Sequence, residues 1–207
     1  GAAGLAGTIS VTKNSAGTLA QVENINSLNN GLNVESDHYN QIHLYGNSAV
    51  LTVAIGSGSV GLGIGVVNDD SNTQAKLVNS SIRHNTDETA EDSVSAINDS
   101  YLFSEVADAS VAVSIGAGAA GTINVSNLDN VVKTTVDNAT VGINADGTKG
   151  NKAKSFGAKA KNNLTTTFAT ASGAAGVGAA AVGVGVNTVD TTVVTNVNNS
   201  AVYAGSI

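Results

Sequence analysis

The chain has 207 residues and a formal net charge of −7, with 12% charged residues and no Pro, Cys, Met or Trp. Zero Cys excludes disulfides and thiolate metal centres, and the negative balance argues against non-specific nucleic-acid binding. Three Phe and four Tyr exclude a large aromatic core, whereas 42% apolar residues suffice for a narrow core of small side chains in regular layers. With no Met and no basic-then-apolar leader at its start, the chain reads as a segment of a longer protein.

Four similar stretches punctuate the sequence: GAAGLAG at the start, Val53–Val66, Val113–Val125 and Gly173–Val186. Val11, Val66, Val125 and Val186 anchor them, with spacings of 55, 59 and 61 residues. Val22, Leu77, Val136 and Val197 repeat the same spacings, so the eleven residues between the anchors hold register in all four copies. Ile9, Ile64, Ile123 and Val184 precede the first anchors by two residues, and Asn24, Asn79, Asn138 and Asn199 follow the second by two. Asp70, Asp129 and Asp190 share a column in which the first copy has Ser15. A second block matches Leu44, Ala49 and Leu51 to Leu102, Ala107 and Ala109, then to Leu164, Ala169 and Ala171.

The apolar period inside the blocks is two, the mark of half-buried strands, and Asn, Asp, Gly and Ser between the runs are turn formers. A repeat of this size that cannot bury its own face implies stacking. The expected fold is all-β, a parallel β-helix (β-solenoid) with about three rungs per repeat, some ten rungs in a single continuous segment spanning 1–207. Repeat units fall at about 1–48, 49–106, 107–168 and 169–207, the last incomplete. Variable surface loops are expected at about 25–43, 83–101 and 142–163. The expected core is Ile9, Val11, Val22, Ile64, Val66, Leu77, Ile123, Val125, Val136, Val184, Val186 and Val197. Stacked Asn columns are expected to form side-chain ladders. The glycine-bearing face, with Ser10, Gly65, Asn124 and Gly185, is expected to point outward and to be covered by a loop or a neighbouring rod.

No motif points to a reaction. There is no phosphate loop, no GxSxG elbow and no HExxH, and His38, His43 and His84 read as surface histidines. No apolar run reaches the length of a membrane-spanning helix, although membrane insertion of the Gly/Ala/Val stretches stays open. Asp69 with Asp70 reads as turn chemistry rather than a catalytic pair. A polysaccharide lyase or hydrolase reading lacks aromatic platforms and a carboxylate pair. The expectation is a chain that is not an enzyme and needs no cofactor or metal. Two opposite-sign clusters are the candidate contact sites: Asp87, Glu88, Glu91 and Asp92, and Lys149, Lys152, Lys154, Lys159 and Lys161.

The alternating runs, the phrase GAAGVGAAAVGVGVNTV at 173–189 and the closing VNNSAVYAGS at 197–206 resemble very large secreted exoproteins of Gram-negative anaerobes. These are the leukotoxin-type exoproteins within the filamentous-haemagglutinin-like group. The resemblance implies a right-handed β-helix, type V export through an outer-membrane secretion partner, a secreted or cell-surface location, and contact with a host-cell receptor or glycan. Purely structural spacing, or membrane activity, are the alternatives.

Overall fold

The computed structural model describes residues 3–28, 31–53, 58–85, 90–113, 116–150 and 153–207. Each repeat contributes a long strand, a short strand and a second long strand. The first long strands are β1 (Ala3–Glu23), β4 (Gly58–Val78), β7 (Ala117–Asp137) and β10 (Gly178–Asn198). The short ones are β2 (Asn26–Leu28), β5 (Ser81–His84), β8 (Thr140–Asn144) and β11 (Ala201–Val202). The third set is β3 (Asn33–Val53), β6 (Ala90–Val113), β9 (Ala153–Ala175) and β12 (Ala204–Ser206). Each set forms one four-stranded sheet, in the orders β1-β4-β7-β10, β2-β5-β8-β11 and β3-β6-β9-β12. We call them the first, second and third sheets. All pairings are parallel, so the protein is a β-solenoid.

One repeat makes one coil. Ile9 pairs with Ile64, Ile64 with Ile123, and Ile123 with Val184, so the repeat spacing is the strand-pairing register itself. The expectation of three rungs per repeat is therefore corrected: the three strand passes of a repeat lie in three different sheets. A 21-residue strand spans roughly 70 Å, whereas four strands at about 4.8 Å stack to only about 14 Å. The shape is a broad two-layered blade with the first sheet packed on the third and the short second sheet closing one edge.

Side-chain hydrogen bonds between neighbouring strands hold some of the polar residues of the long strands. Asn14 Nδ2 donates to Asp69 Oδ1 at 2.7 Å, and Ser71 Oγ donates to Asn130 Oδ1 at 2.6 Å. Asp70, Asp129 and Asp190 accordingly sit inside β4, β7 and β10 on the outer face, and are not turn residues. The turn column is the Asn one. Asn24, Asn79, Asn138 and Asn199 have φ of 56°, 48°, 48° and 47°, the left-handed conformation that Asn tolerates best after Gly. The N–H groups of Asn24, Asn79 and Asn138 continue the ladder around the corner, as in Asn79 N to Asp137 O at 3.0 Å. Among the described residues, the expected Asn side-chain ladder exists for one step in this column, Asn138 Nδ2 to Asn79 Oδ1 at 2.8 Å, and for one step inside the third sheet, Asn98 Nδ2 to Asn162 Oδ1 at 2.7 Å. Asn79→Val is expected to cost about 1–2 kcal/mol, because a β-branched side chain at positive φ crowds its own backbone. Asn79→Gly is expected to cost less, and the two urea midpoints measure the difference.

The stretches expected as variable loops, 25–43, 83–101 and 142–163, are largely strand: 33–43, 90–101 and 153–163 belong to β3, β6 and β9. Length differences gather instead at the corner between the second and third sheets, where β2 and β3, β5 and β6, and β8 and β9 are joined. The register of the third sheet also differs from the expected one by two residues: Leu44 pairs with Ser104, and Leu102 with Thr166. A slip of two keeps every side chain on its face, so a period of two cannot detect it.

The core lies between the first and third sheets. Leu77, Val94, Val132, Val136 and Val141 form an apolar cluster near the second sheet, and Ile42, Leu44, Val67, Leu102 and Leu128 form another farther along. Between and beyond them run polar belts that include Ser100, Ser104, Asn98, Asn124 and Asn130, all buried. Of the expected core, Leu77 and Val136 are buried and Val22 packs against their cluster. Val197 shares their inward column but is exposed, since β12 covers so little of β10.

Ile9, Val11, Ile64, Val66, Ile123, Val125, Val184 and Val186 point outward, contrary to expectation. The physical reason is parity. Eleven residues separate Val66 from Leu77, and an odd separation in an unbroken strand puts the two on opposite faces. Ser10, Gly65, Asn124 and Gly185 therefore face inward. Their face is covered, as expected of glycines in a strand, but by the third sheet of the same chain. A Cβ on Gly65 would meet Val106 and Leu44, and one on Gly185 would meet Phe168.

Candidate binding surface

The two charged clusters do not form two surfaces. Asp87, Glu88 and Lys152 lie outside the described residues. Lys149 is exposed in the turn after β8, whose geometry Asp146 fixes by accepting from Thr148 N and Thr148 Oγ1 at 2.9 and 2.7 Å. Those bonds from Thr148 hold the Asp146 carboxyl below its ordinary range. Lys154 Nζ lies 2.6 Å from Glu91 Oε1 across β6 and β9, so one residue of each cluster is spent on the other. The hydrogen bond and charge of Lys154 lower the Glu91 pKa, and Glu91 raises that of Lys154. The contribution of Glu91 is thus present above its unfolded-state pKa and fades as pH falls through the folded one, but both groups are solvated and the effect is screened. Lys159 and Lys161 stand on the outer face of the third sheet, opposite Ser95 and Ile97.

Asp92 is not a contact residue. It is buried at the start of β6, with Oδ2 2.8 Å from His84 Nε2, and Oδ1 accepts from Leu32 N at 2.7 Å. His84 is likewise buried, and His38 is half-buried on the inner face, so only His43 is the surface histidine expected of all three. Asp69 and Asp70 face opposite sides of their sheet: Asp69 is buried and accepts from Asn14 and from Asn40 of the third sheet. Among the described residues, no three His, Asp or Glu side chains converge as a metal site would require. Among the described residues, no helix is long and apolar enough to cross a membrane.

Two features of the outer faces were not foreseen. On the first sheet, Leu5, Ile9 and Val11 in β1 align with Val60, Ile64 and Val66 in β4, and onward through Ile123 to Val184. This is a continuous exposed aliphatic patch, with Ile9 75% exposed. On the third sheet, Tyr39, His43 and Tyr45 of β3 stand beside Tyr101 and Phe103 of β6. The rings of Tyr45 and Phe103 are 5.3 Å apart, and those of His43 and Tyr101 5.7 Å. Four of the seven aromatic residues of the chain thus share one outer face. The expectation that aromatic platforms are missing is corrected here.

The signal for this platform was in the sequence. Tyr39-x-Gln41-x-His43-x-Tyr45 and Tyr101-x-Phe103 have the period of a strand face, but Tyr39, Gln41, His43 and Tyr101 fall within the stretches expected as loops, 25–43 and 83–101. Beside the rings lies an open groove of about 370 Å³, lined by Tyr39, Gln41, His43, Asp99, Tyr101, Asn163 and Thr165. Comparison with protein-family models, with curated proteins and with solved structures finds no match.

Proposed function

We propose that this chain is a non-catalytic β-solenoid segment of a secreted bacterial exoprotein of the leukotoxin or filamentous-haemagglutinin-like type, which contacts host cells through its outer sheet faces. The carrying observation is the gathering of exposed aromatic side chains on the third sheet of a chain that is only 3% aromatic. Exposed Tyr offers large, stiff contact area at low entropic cost, which is why it is favoured in binding surfaces. The resemblance of the Gly/Ala/Val phrases to such exoproteins supports the secreted or surface location and export by an outer-membrane partner. A second reading, membrane contact, is favoured by the aliphatic patch on the first sheet, because exposed apolar areas of this extent mark interaction sites.

The test is a binding titration of the labelled chain on leukocytes and epithelial cells, alongside a leakage assay on dye-loaded liposomes. Saturable cell binding without leakage is the expected result. Leakage at comparable concentrations favours the membrane reading, and the absence of saturable binding overturns the contact reading.

A further inference from the structure

We propose that the groove on the third sheet binds a neutral oligosaccharide, with sugar rings seated on Tyr39 and Tyr101. The inference deepens the contact reading above and rests on it. In register, Tyr39 of β3 lies beside Asp99 of β6, with Asn163 of β9 one strand farther on, and Tyr101 of β6 lies between Gln41 of β3 and Thr165 of β9. Each ring therefore has hydrogen-bonding side chains at its edge, one strand away. That is the chemistry of a pyranose: its C–H face stacks on an aromatic ring while its equatorial hydroxyls reach outward to carboxylate, amide and hydroxyl groups.

The polar groups are ordered in advance. Asn163 Nδ2 donates to Asp99 Oδ1, which orients the carboxylate and leaves its second oxygen toward solvent. Gln41 Nε2 is 2.8 Å from His43 Nε2. Among the described residues, the hydroxyls of Tyr39 and Tyr101 have no protein partner. Preorganisation of this kind lowers the ordering cost of binding.

Cross-strand stabilisation explains part of the platform but not all of it. Tyr45, Phe103, His43 and Tyr101 touch one another, as aromatic pairs on one sheet face do. Tyr39 makes no ring contact among the described residues and is 70% exposed, so the sheet gains little from it. The groove volume falls in the usual range of about 300–1,000 Å³ for ligand sites. Charge selects the kind of glycan. Asp37, Asp99 and Glu105 share this outer face with Lys159 and Lys161, but the groove itself is lined by the carboxylate of Asp99 and by no lysine or arginine, so it offers no cation to a sulfated or sialylated sugar or to a nucleic acid. An apolar peptide anchor needs a deep dry pocket, and this groove is shallow and half polar.

The experiment is an array of neutral, sialylated and sulfated oligosaccharides probed with the whole chain, followed by calorimetric titration of the best neutral binder. Binding of neutral glycans is expected, weakened at least tenfold by Y39A and by Y101A and unchanged by S15A on the opposite outer face. The thermal unfolding of Y39A should match that of the parent chain, which separates lost binding from lost fold. No neutral glycan bound, a preference for acidic glycans, or full binding by Y39A/Y101A each overturns the site. Cell binding that survives Y39A/Y101A and enzymatic removal of cell-surface glycans overturns the site and leaves the contact reading standing. Binding to neutral glycans but to no cell type supports the site and overturns the contact reading.

Discussion

Gly65→Val is expected to destabilise the fold by about 3 kcal/mol, combining overpacking at about 1–3 kcal/mol with buried polar atoms losing partners at about 1–3 kcal/mol. A Cβ at this position overlaps Val106 Cγ2 and lies 3.0 Å from Leu44 Cδ2 and 3.3 Å from Asn124 Oδ1. None of these neighbours has room to move, since Leu44, Val106 and Asn124 are all buried. Asn124 is held by Ser104 Oγ, which donates to its Oδ1 at 2.9 Å, and its Nδ2 donates to Ala169 O at 3.1 Å. Displacing it breaks a satisfied polar belt inside the blade.

Two companions isolate the cause. Ile9→Thr, at a position in register with Ile64 but on the outer face, is expected to change stability by no more than about 0.5 kcal/mol. Gly65→Ala combined with Val106→Ala removes the clashing methyl and is expected to be more stable than the summed single effects by about 1 kcal/mol. Denaturant midpoints of the single and double variants provide the measurement. Additive behaviour, or an Ile9→Thr loss as large as that of Gly65→Val, would return the glycine face to the outside.

That contrast also marks where the sequence was readable. The spacing of 55, 59 and 61 residues is the pairing offset of β1, β4, β7 and β10, and the period of two announced their strand character. The Asn column announced the corner, because four turns at the same left-handed φ require a residue that tolerates it. What the sequence did not settle was phase. Val66 and Leu77 are both β-branched or aliphatic, and treating both as core presupposed a turn between them at Asp70. In an unbroken strand only one of the two faces inward, and the size of the residues opposite decides which. Val106, Leu44 and Phe168 fill the space that Gly65 and Gly185 leave. Complementarity of this kind joins residues about 20–40 positions apart and leaves no trace in local periodicity. The candidate site was hidden for a related reason. Tyr39 and Tyr101 become neighbours only through a pairing offset of 60 in the third sheet, which differs from the offset in the first.

Packing between sheets also makes the buried Asp92 sensitive to substitution. Asp92→Ala is expected to cost about 3–5 kcal/mol, the range for removing one partner of a buried ionisable pair. It strands His84 Nε2, now 2.8 Å from Asp92 Oδ2, and the Leu32 N–H that Asp92 Oδ1 accepts, in a region where both side chains of the pair are fully buried. Asp92→Asn is expected to cost less, because an amide oxygen can still accept from Leu32. Among the described residues, the pair occurs in one coil only. In the third coil Phe156 stands in register with Asp92, and in the first Leu32 immediately precedes Asn33, the partner of Ser93. An apolar residue therefore suits the column. His84→Leu with Asp92→Leu is expected to lose only about 1–3 kcal/mol, the cost of one unpaired N–H, and so to be more stable than Asp92→Ala alone. Chemical denaturation of the four proteins decides the matter. If the double apolar variant unfolds as readily as Asp92→Ala, the pair contributes more than mutual satisfaction, and its role is to fix the second coil in register between two coils that are apolar at that level.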